Sequence, residues 1–469
     1  MHPKPPVTRT GQSGWLGRHA TRLKSLALVG AVTLGFAGAG LAIAAPASAD
    51  PAFQFVGVGS DTTENVMDYF AGQVSEGIIA SYDAVNPVSQ IADETITPGV
   101  AGSGGAQTNC SFTRPNGSTQ GFAALDYSYN TSTTLAQLAT PPGAGCLTFS
   151  RSSGAPGSAT TASSGPGVAD TSGGLVYIPF AVDAVTDATG PTTATSETTQ
   201  CYGPDTPTGF TCSSTTGLGT VTFTTTPTKI TTAADFTIAN LQSLYADCDN
   251  VTVGGVTYNP NTATSGQQQI DLYLPQAGSG TLKFWEATLD IPSTLPSCDH
   301  QTIVAGAATG VSVEEHDGTA MASDPDGIGP ISIAKWLSFS NGVVTPDVRH
   351  GDILQPITVG TTSVPPINSG GTMNVGGCGA TFNQATCFPI TREVYNVMSY
   401  DEVTSGEPGY NPVLAGLFAG TNSALCQSNF TISNLGFGNL PNPVGTTFPD
   451  LCGSTASSLR VQETNNGPS

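Results

Sequence analysis

The segment IDLYLPQAGSGTLKFWEATL (270–289) sets a short apolar run, a Gly/Ser/Thr loop and an amphipathic run in direct succession. FQFVGVGSDTTENVMDYF (53–70) repeats that order near the start of the chain. Apolar runs of this length read as strands, and apolar residues at helical spacing read as helices. Val66, Phe70 and Val74, with Ile78 beyond, recur every fourth residue and give one face of a helix that opens at Asp61 or Thr62. Asp61 and Glu64 have the spacing of a capping box. This strand–loop–helix alternation predicts an α/β architecture with mostly parallel sheets. Ligands in such sheets lie outside the carboxyl ends of the strands.

The alternation continues. CSFTRPNGSTQGFAALDY (110–127) reads as a Gly/Ser turn before a short helix, and CLTFSRSSG (146–154) as a strand ending in a Ser-rich loop. LVYIPFAVDAV (175–185) is a nearly unbroken apolar run, which predicts a buried strand of the parallel type. TAADFTIANLQSLYADC (232–248) predicts a helix with Asp235 near its start. TAMASDPDGIGPISIAKWL (319–337) has a turn at Pro325-Asp326-Gly327, and its DPDG is read as a turn and not a calcium loop. CFPITREVYNVMSY (387–400) reads as a strand returning between domains, and NPVLAGLFAGTNSAL (411–425) as the final helix. Residues 154–174, 186–228 and 354–386 are Gly- or Thr-rich insertions, the second read as a β-hairpin pinned by a disulfide.

Residues 1–49 carry Lys4, Arg9, Arg18, Arg22 and Lys24, then the apolar run LALVGAVTLGFAGAGLAIAA, then Ala47-Ser48-Ala49. That order is a cleaved secretory signal peptide. No Cys stands near the cleavage point and no later segment is apolar enough to span a bilayer, so a secreted, extracellular protein without a lipid anchor is expected. With the leader gone, 8 Lys and Arg face 34 Asp and Glu, a net charge of −26. Such a surface repels nucleic acid and anionic membranes. All ten cysteines, Cys110, Cys146, Cys201, Cys212, Cys248, Cys298, Cys378, Cys387, Cys426 and Cys452, follow the leader. An even count in a secreted chain predicts five disulfides, and nearest-neighbour pairing is the simplest connectivity. With no CxxC and no Cys/His cluster, neither a metal site nor a cofactor is expected.

Four hydroxyl-rich loops, 57–63, 114–119, 150–153 and 278–281, fall where a strand meets a helix or ends. A helix start offers unpaired N–H groups and partial positive charge, Gly permits close approach, and Ser and Thr donate further bonds. Each loop alone is an ordinary turn or cap; together they suit an anion. Arg114 and Arg151, two of the five arginines left after cleavage, sit inside these loops and can offer forked donation to an oxyanion. Ser60, Asp61, Thr62, Thr63, Arg114, Ser118, Arg151, Ser152, Ser279, Gly280 and Thr281 are therefore the candidate binding set.

GVGSDTT, RPNGSTQG, FSRSS, IPFAVDAV and GSGT stand in the order found in phosphate-binding proteins of the periplasmic type. Over about 50–460 the chain resembles the PstS-type substrate-binding component of phosphate ABC transporters, in an actinobacterial-like version. LQSLYADC is similar to that family's helix before the second-domain loop, and FPITREVY to its return crossover. The resemblance implies a type II periplasmic-binding fold, two α/β lobes joined by two crossover strands with the ligand between them. Residues 50–180 and 388–460 would form lobe 1, 181–387 lobe 2 and 461–469 a flexible tail. Thr62 and Thr63 would bind through the first helix start, Ser118 through the second, and Ser279, Gly280 and Thr281 from the other lobe. Inorganic phosphate or a related oxyanion, an ABC permease, a monomer and no catalysis are implied with it. Two departures stand out: Arg151 replaces the family's usual Asp, and Pro275 its usual Arg. Asp61 would then supply the proton acceptor, and Arg151 or Arg114 the cation.

Two other classes compete. A fold-retaining surface protein without a ligand suits the Thr-rich insertions and the rearranged charges. A secreted hydrolase with Ser279 or Ser118 as nucleophile needs a base, and VEEHDGT offers only His316, which is expected as a solvated loop residue.

Overall fold

The computed structural model describes residues 52–74, 78–86, 92, 94–100, 110–129, 138–156, 174–190, 199–202, 210–212, 218–223, 236–306, 308–375, 387–440 and 451–461. The elements that place the site are β1 (Phe55–Gly59), α1 (Glu64–Gln73), β2 (Ile79–Ser81), α2 (Ser118–Tyr129), β3 (Phe149–Ser152) and β4 (Leu175–Thr189). They continue with α3 (Ile238–Tyr245), β5 (Asp271–Tyr273), α4 (Gly280–Leu289), β6 (Asp299–His300), β7 (Gly327–Ser332), α5 (Ile333–Ser340) and β8 (Thr391–Ser399).

The eight strands form one sheet in the order β6-β5-β7-β4-β8-β3-β1-β2. β2 and β3 lie parallel to β1, and β6 and β7 lie parallel to β5. Between these groups β4 and β8 run antiparallel to each other, from Leu175↔Ser399 to Ala184↔Thr391, with a bulge at Val394/Tyr395. The rest of β4 pairs with β7, Val185↔Ser332 to Thr189↔Ile328, while β8 also pairs with β3. Two parallel groups are thus joined by two long crossing strands, the layout of the type II periplasmic-binding fold.

All 15 residues of β4 are buried, as the unbroken apolar run requires. Its neighbours are antiparallel, however, which corrects the expectation of a parallel-type strand. An absence of alternation reports that both faces are covered; it does not fix the direction of the partners. The Thr-rich segment also differs from a hairpin. Residues 199–202, 210–212 and 218–223 form a three-stranded antiparallel sheet with 218–223 in the centre. The helix at Pro412–Phe418, capped by the Asn411 side chain, is followed by another at Asn429–Asn434, so it is not the last.

The core runs continuously through the sheet, from Phe55, Val58 and Phe149 through Tyr177, Ile178 and Val397 to Leu272, Trp285 and Ile333. Removing each such side chain from water contributes about 1.5–3 kcal/mol. Cys110–Cys146, Cys248–Cys298 and Cys426–Cys452 are disulfides, as nearest-neighbour pairing predicts. Cys387 is also disulfide-bonded. Cys378 and the expected Cys201–Cys212 bridge lie outside the residues whose side chains are described, as do the leader 1–49, Asp235, 157–173 and the tail from 462. No helix among the described residues is long and apolar enough to cross a membrane.

Candidate functional site

The carboxyl ends of β1 and β3 meet those of β5 and β7, and the loops there touch. The Thr119 amide donates to the Gly278 carbonyl at 3.1 Å, and Gln276 Nε2 to Asn116 Oδ1 at 2.9 Å. Glycine makes this approach possible. A Cβ on Gly117 (φ +111°) would lie 2.3 Å from the Gly278 carbonyl oxygen, and one on Gly280 would lie 2.3 Å from both Ser118 Oγ and Ser153 Oγ.

At this junction several donors converge on one oxygen, Glu315 Oε1. Thr62 Oγ1 from the start of α1 donates to it at 2.9 Å. From the first turn of α4, Thr281 Oγ1 donates at 2.6 Å and the Thr281 amide at 3.3 Å. His316 Nε2 lies 3.1 Å from the same oxygen and 2.9 Å from Thr62 Oγ1. Arg392 on β8 donates through Nη2 to Thr281 Oγ1 at 2.8 Å and to Thr62 Oγ1 at 3.3 Å. A helix start with its amide and hydroxyl, beside a guanidinium, is an oxyanion cradle. Here it holds the chain's own carboxylate.

Asp183 orients the cradle from the middle of β4. Its Oδ2 accepts from Arg392 Nε at 3.0 Å and Nη2 at 2.8 Å, while its Oδ1 accepts from Ser332 Oγ at 2.8 Å and the Ala334 amide at 3.2 Å. One carboxylate thereby steers the cation and the start of α5. Arg392 also lies over the Phe284 ring, 5.3 Å from its centre.

Burial opposes ionisation of Glu315, but the bonds from His316 and Thr281 and the nearby Arg392 outweigh it, so its carboxyl stays well below the usual carboxylate range. Burial lowers the His316 imidazole, and Glu315 only partly offsets this. Its Nδ1 accepts from the Ser332 amide at 3.3 Å, so the ring is neutral and its proton sits on Nε2. His316 is thus a buried donor, not the solvated loop residue expected from sequence. With its one lone pair already in use, His316 is not poised as a base for Ser279 or Ser118.

The other candidates fall into three groups. Ser279 Oγ caps α4 by accepting from the Leu282 amide at 3.0 Å, Gly280 opens that helix, and Ser118 Oγ meets Ser153 Oγ at 3.2 Å. Ser60 and Thr63 are buried with hydroxyls that have no partner among the described residues, and Ser152 Oγ donates to the Gly154 carbonyl at 2.8 Å. Arg151 and Arg114 both donate to groups of the chain itself. The Arg151 guanidinium donates to the carbonyls of Gly59, Ser60 and Tyr82 and to Ser81 Oγ, at 2.8–3.1 Å. Arg114 Nη1 donates to the Asp83 carbonyl at 2.7 Å.

Asp61 is not the acceptor in the cradle, and the capping box does not form. Thr63 is the N-cap of α1 and makes no side-chain cap bond. Lys335 Nζ instead draws in Asp61 Oδ1 and Glu64 Oε1, both at 2.7 Å. Burial raises the Asp61 carboxyl, and the charge of Glu64 adds to the rise. Burial and the two carboxylates act oppositely on Lys335, and the carboxylates prevail, so its ammonium is held charged. Asp324 and Asp326 do come together with Asp271, within 4.8 Å, and Asp324 accepts from the Tyr273 hydroxyl. Burial pushes the Asp324 carboxyl up to about 7.

Glu315, Lys335, Asp183 and Arg392 were not among the sequence candidates, and His316 was weighed only as the base of a hydrolase. One signal pointed to Arg392: it is one of five arginines after the leader, inside a crossover strand.

No protein-family model matches the chain, and no curated protein matches it. Solved structures do. A putative phosphate ABC transporter substrate-binding protein with bound phosphate from Clostridium perfringens aligns at 9% identity and TM-score 0.39, covering 83% of this chain and 100% of that one. An ABC-type phosphate transport receptor from Vibrio cholerae aligns at 12% and 0.38, covering 82% and 99%. PstS from Borrelia burgdorferi aligns at 12% and 0.34, covering 84% and 100%. Values this low transfer neither residues nor a ligand.

Proposed function

We propose that the chain is a secreted solute-binding protein that takes a small oxyanion of the phosphate type between its two sheet groups and passes it to an ABC-type permease, without chemistry of its own. One observation carries this reading: Thr62 and Thr281, contributed from both sides of the junction, donate to a single carboxylate oxygen, and Arg392 donates in turn to both of their hydroxyls. Donors that hold Glu315 Oε1 suit an oxygen of a free anion equally well. Glu315 is then a tethered competitor. Arg392 Nη1 and Glu315 Oε2 are buried without partners among the described residues, which leaves one donor and one acceptor in reserve. An acceptor favours a protonated anion, hydrogen phosphate over sulfate.

Calorimetric titration of the leader-free protein with phosphate and sulfate tests the reading. Phosphate should bind in preference to sulfate, and Glu315→Gln should tighten both while narrowing the gap. No heat from either anion, in wild type and variant alike, would overturn it. A fold-retaining surface protein without a ligand is the second reading. Its support is that Glu315 already engages these donors and that Gly280 packs directly on Ser118 and Ser153.

A further inference from the structure

Beside the cradle lies a cleft of about 140 Å³ whose lining includes Asp61, Glu64, Asp83, Glu314, Glu315 and Asp317. Among the described residues that line it, Lys335 is the only cation, and its ammonium is already engaged by Asp61 and Glu64. Glu315 belongs to both places. Its Oε1 sits in the cradle, the residue lines the cleft and is 4% exposed, and its Oε2 is buried without a partner among the described residues. Burial raises Asp61 and Asp83 well above the usual range, and the neighbouring carboxylates add to the rise. A bare dianion is repelled on approach to such a wall. The carboxylate trio close enough to share one metal ion, Asp271, Asp324 and Asp326, lies outside this lining. The cleft has room for roughly ten water-sized groups, more than an ion needs and enough for a short organic arm.

We propose that the ligand is an oxyanion carrying a cationic arm, with the oxyanion in the Thr62–Thr281–Arg392 cradle and the ammonium among Glu314, Asp317 and Glu315. The inference rests on the oxyanion reading above and names its substrate class. The ammonium places a positive charge beside these carboxylates and gives Glu315 Oε2 a donor. The same charge draws Glu315 toward the cleft and frees the cradle donors.

The test is calorimetry on the leader-free chain with phosphoethanolamine, ethyl phosphate, inorganic phosphate and magnesium chloride, at low and at physiological salt. Phosphoethanolamine should bind at least about tenfold tighter than ethyl phosphate or inorganic phosphate at both salts. Glu314→Gln with Asp317→Asn should erase that advantage without weakening the binding of ethyl phosphate. Equal affinity for the aminated and plain phosphates overturns the inference and leaves the oxyanion reading standing. Magnesium binding as tight as phosphoethanolamine also overturns it, because the cleft is then a simple cation trap. Failure of every phosphate, in wild type and in Glu315→Gln, removes the oxyanion reading itself.

Discussion

Arg151 and Arg392 are both buried arginines on central strands, yet they do opposite work. Arg151 spends its guanidinium on three carbonyls and a hydroxyl around the first loop. Arg392 faces a buried carboxylate on one side and the cradle hydroxyls on the other, with Nη1 unengaged among the described residues. The first holds backbone in place; the second presents charge. An arginine inside a hydroxyl-rich loop is therefore poor evidence of a ligand contact, and an arginine in an apolar crossover strand is better. Burying a guanidinium is costly, and a nearby acid such as Asp183 must offset it.

Arg151→Met should produce the largest effect, because it strips donors from buried carbonyls on two segments at once. We expect a loss of more than about 4 kcal/mol in denaturant unfolding, with anion binding lost only through unfolding. Survival of the fold with selective loss of binding would reverse the contrast between the two arginines. Arg392→Met should cost about 3–5 kcal/mol, since Asp183 is left buried and unpaired. Adding Asp183→Asn should restore most of that stability and none of the anion affinity. Restored affinity in the double variant would show that Arg392 holds structure alone.

Asp187 sharpens the comparison from the same strand. Four residues after Asp183, it is equally buried, and among the described residues neither of its carboxylate oxygens has a partner. Burial pushes it up to about 7. Its folded value lies above its unfolded one, so its contribution is fully present at low pH and is lost as pH rises toward 7. Relative to Asp187→Asn, wild type should lose about 1.4 kcal/mol per pH unit between pH 5 and 7. Taking the difference between the two proteins cancels His316, whose lowered value acts with the opposite sign below about 6.5. Parallel stability curves would mean that a bond keeps Asp187 ionised.

Much of the frame was legible from local pattern. The strand–Gly/Ser loop–helix units at 57–63 and 278–281 do lie at facing strand ends, and Thr62 and Thr281 come within 3.5 Å of each other. FPITREVY and IPFAVDAV are the crossing pair. What local pattern hid was the charge partnering. Asp61 and Glu64 have capping-box spacing, yet Lys335, more than 270 residues later, takes both carboxylates. VEEHDGT reads as a polar loop, and only the folded chain turns Glu315 into the junction, with His316 held at φ +64° behind it. Such choices depend on which distant cation reaches a carboxylate first, and no window of a few residues records that.

Thr281→Val separates structure from binding at the smallest scale. The hydroxyl donates to Glu315 Oε1 and accepts from Arg392 Nη2. Without it, Glu315 keeps Thr62 and His316, and Arg392 keeps Asp183. The fold should therefore lose only about 1 kcal/mol, the net worth of one hydrogen bond between groups that retain other partners. An anion in the cradle has no such reserve, because the valine methyl stands where a donor is needed. Phosphate affinity should fall about tenfold or more, as a missing hydrogen bond to a charged group costs about 1.5–3 kcal/mol. An unchanged affinity would place the anion elsewhere and leave Thr281 and Arg392 as partners of Glu315 alone. The contrast with Arg151 would then collapse, since both arginines would serve the chain and neither a ligand.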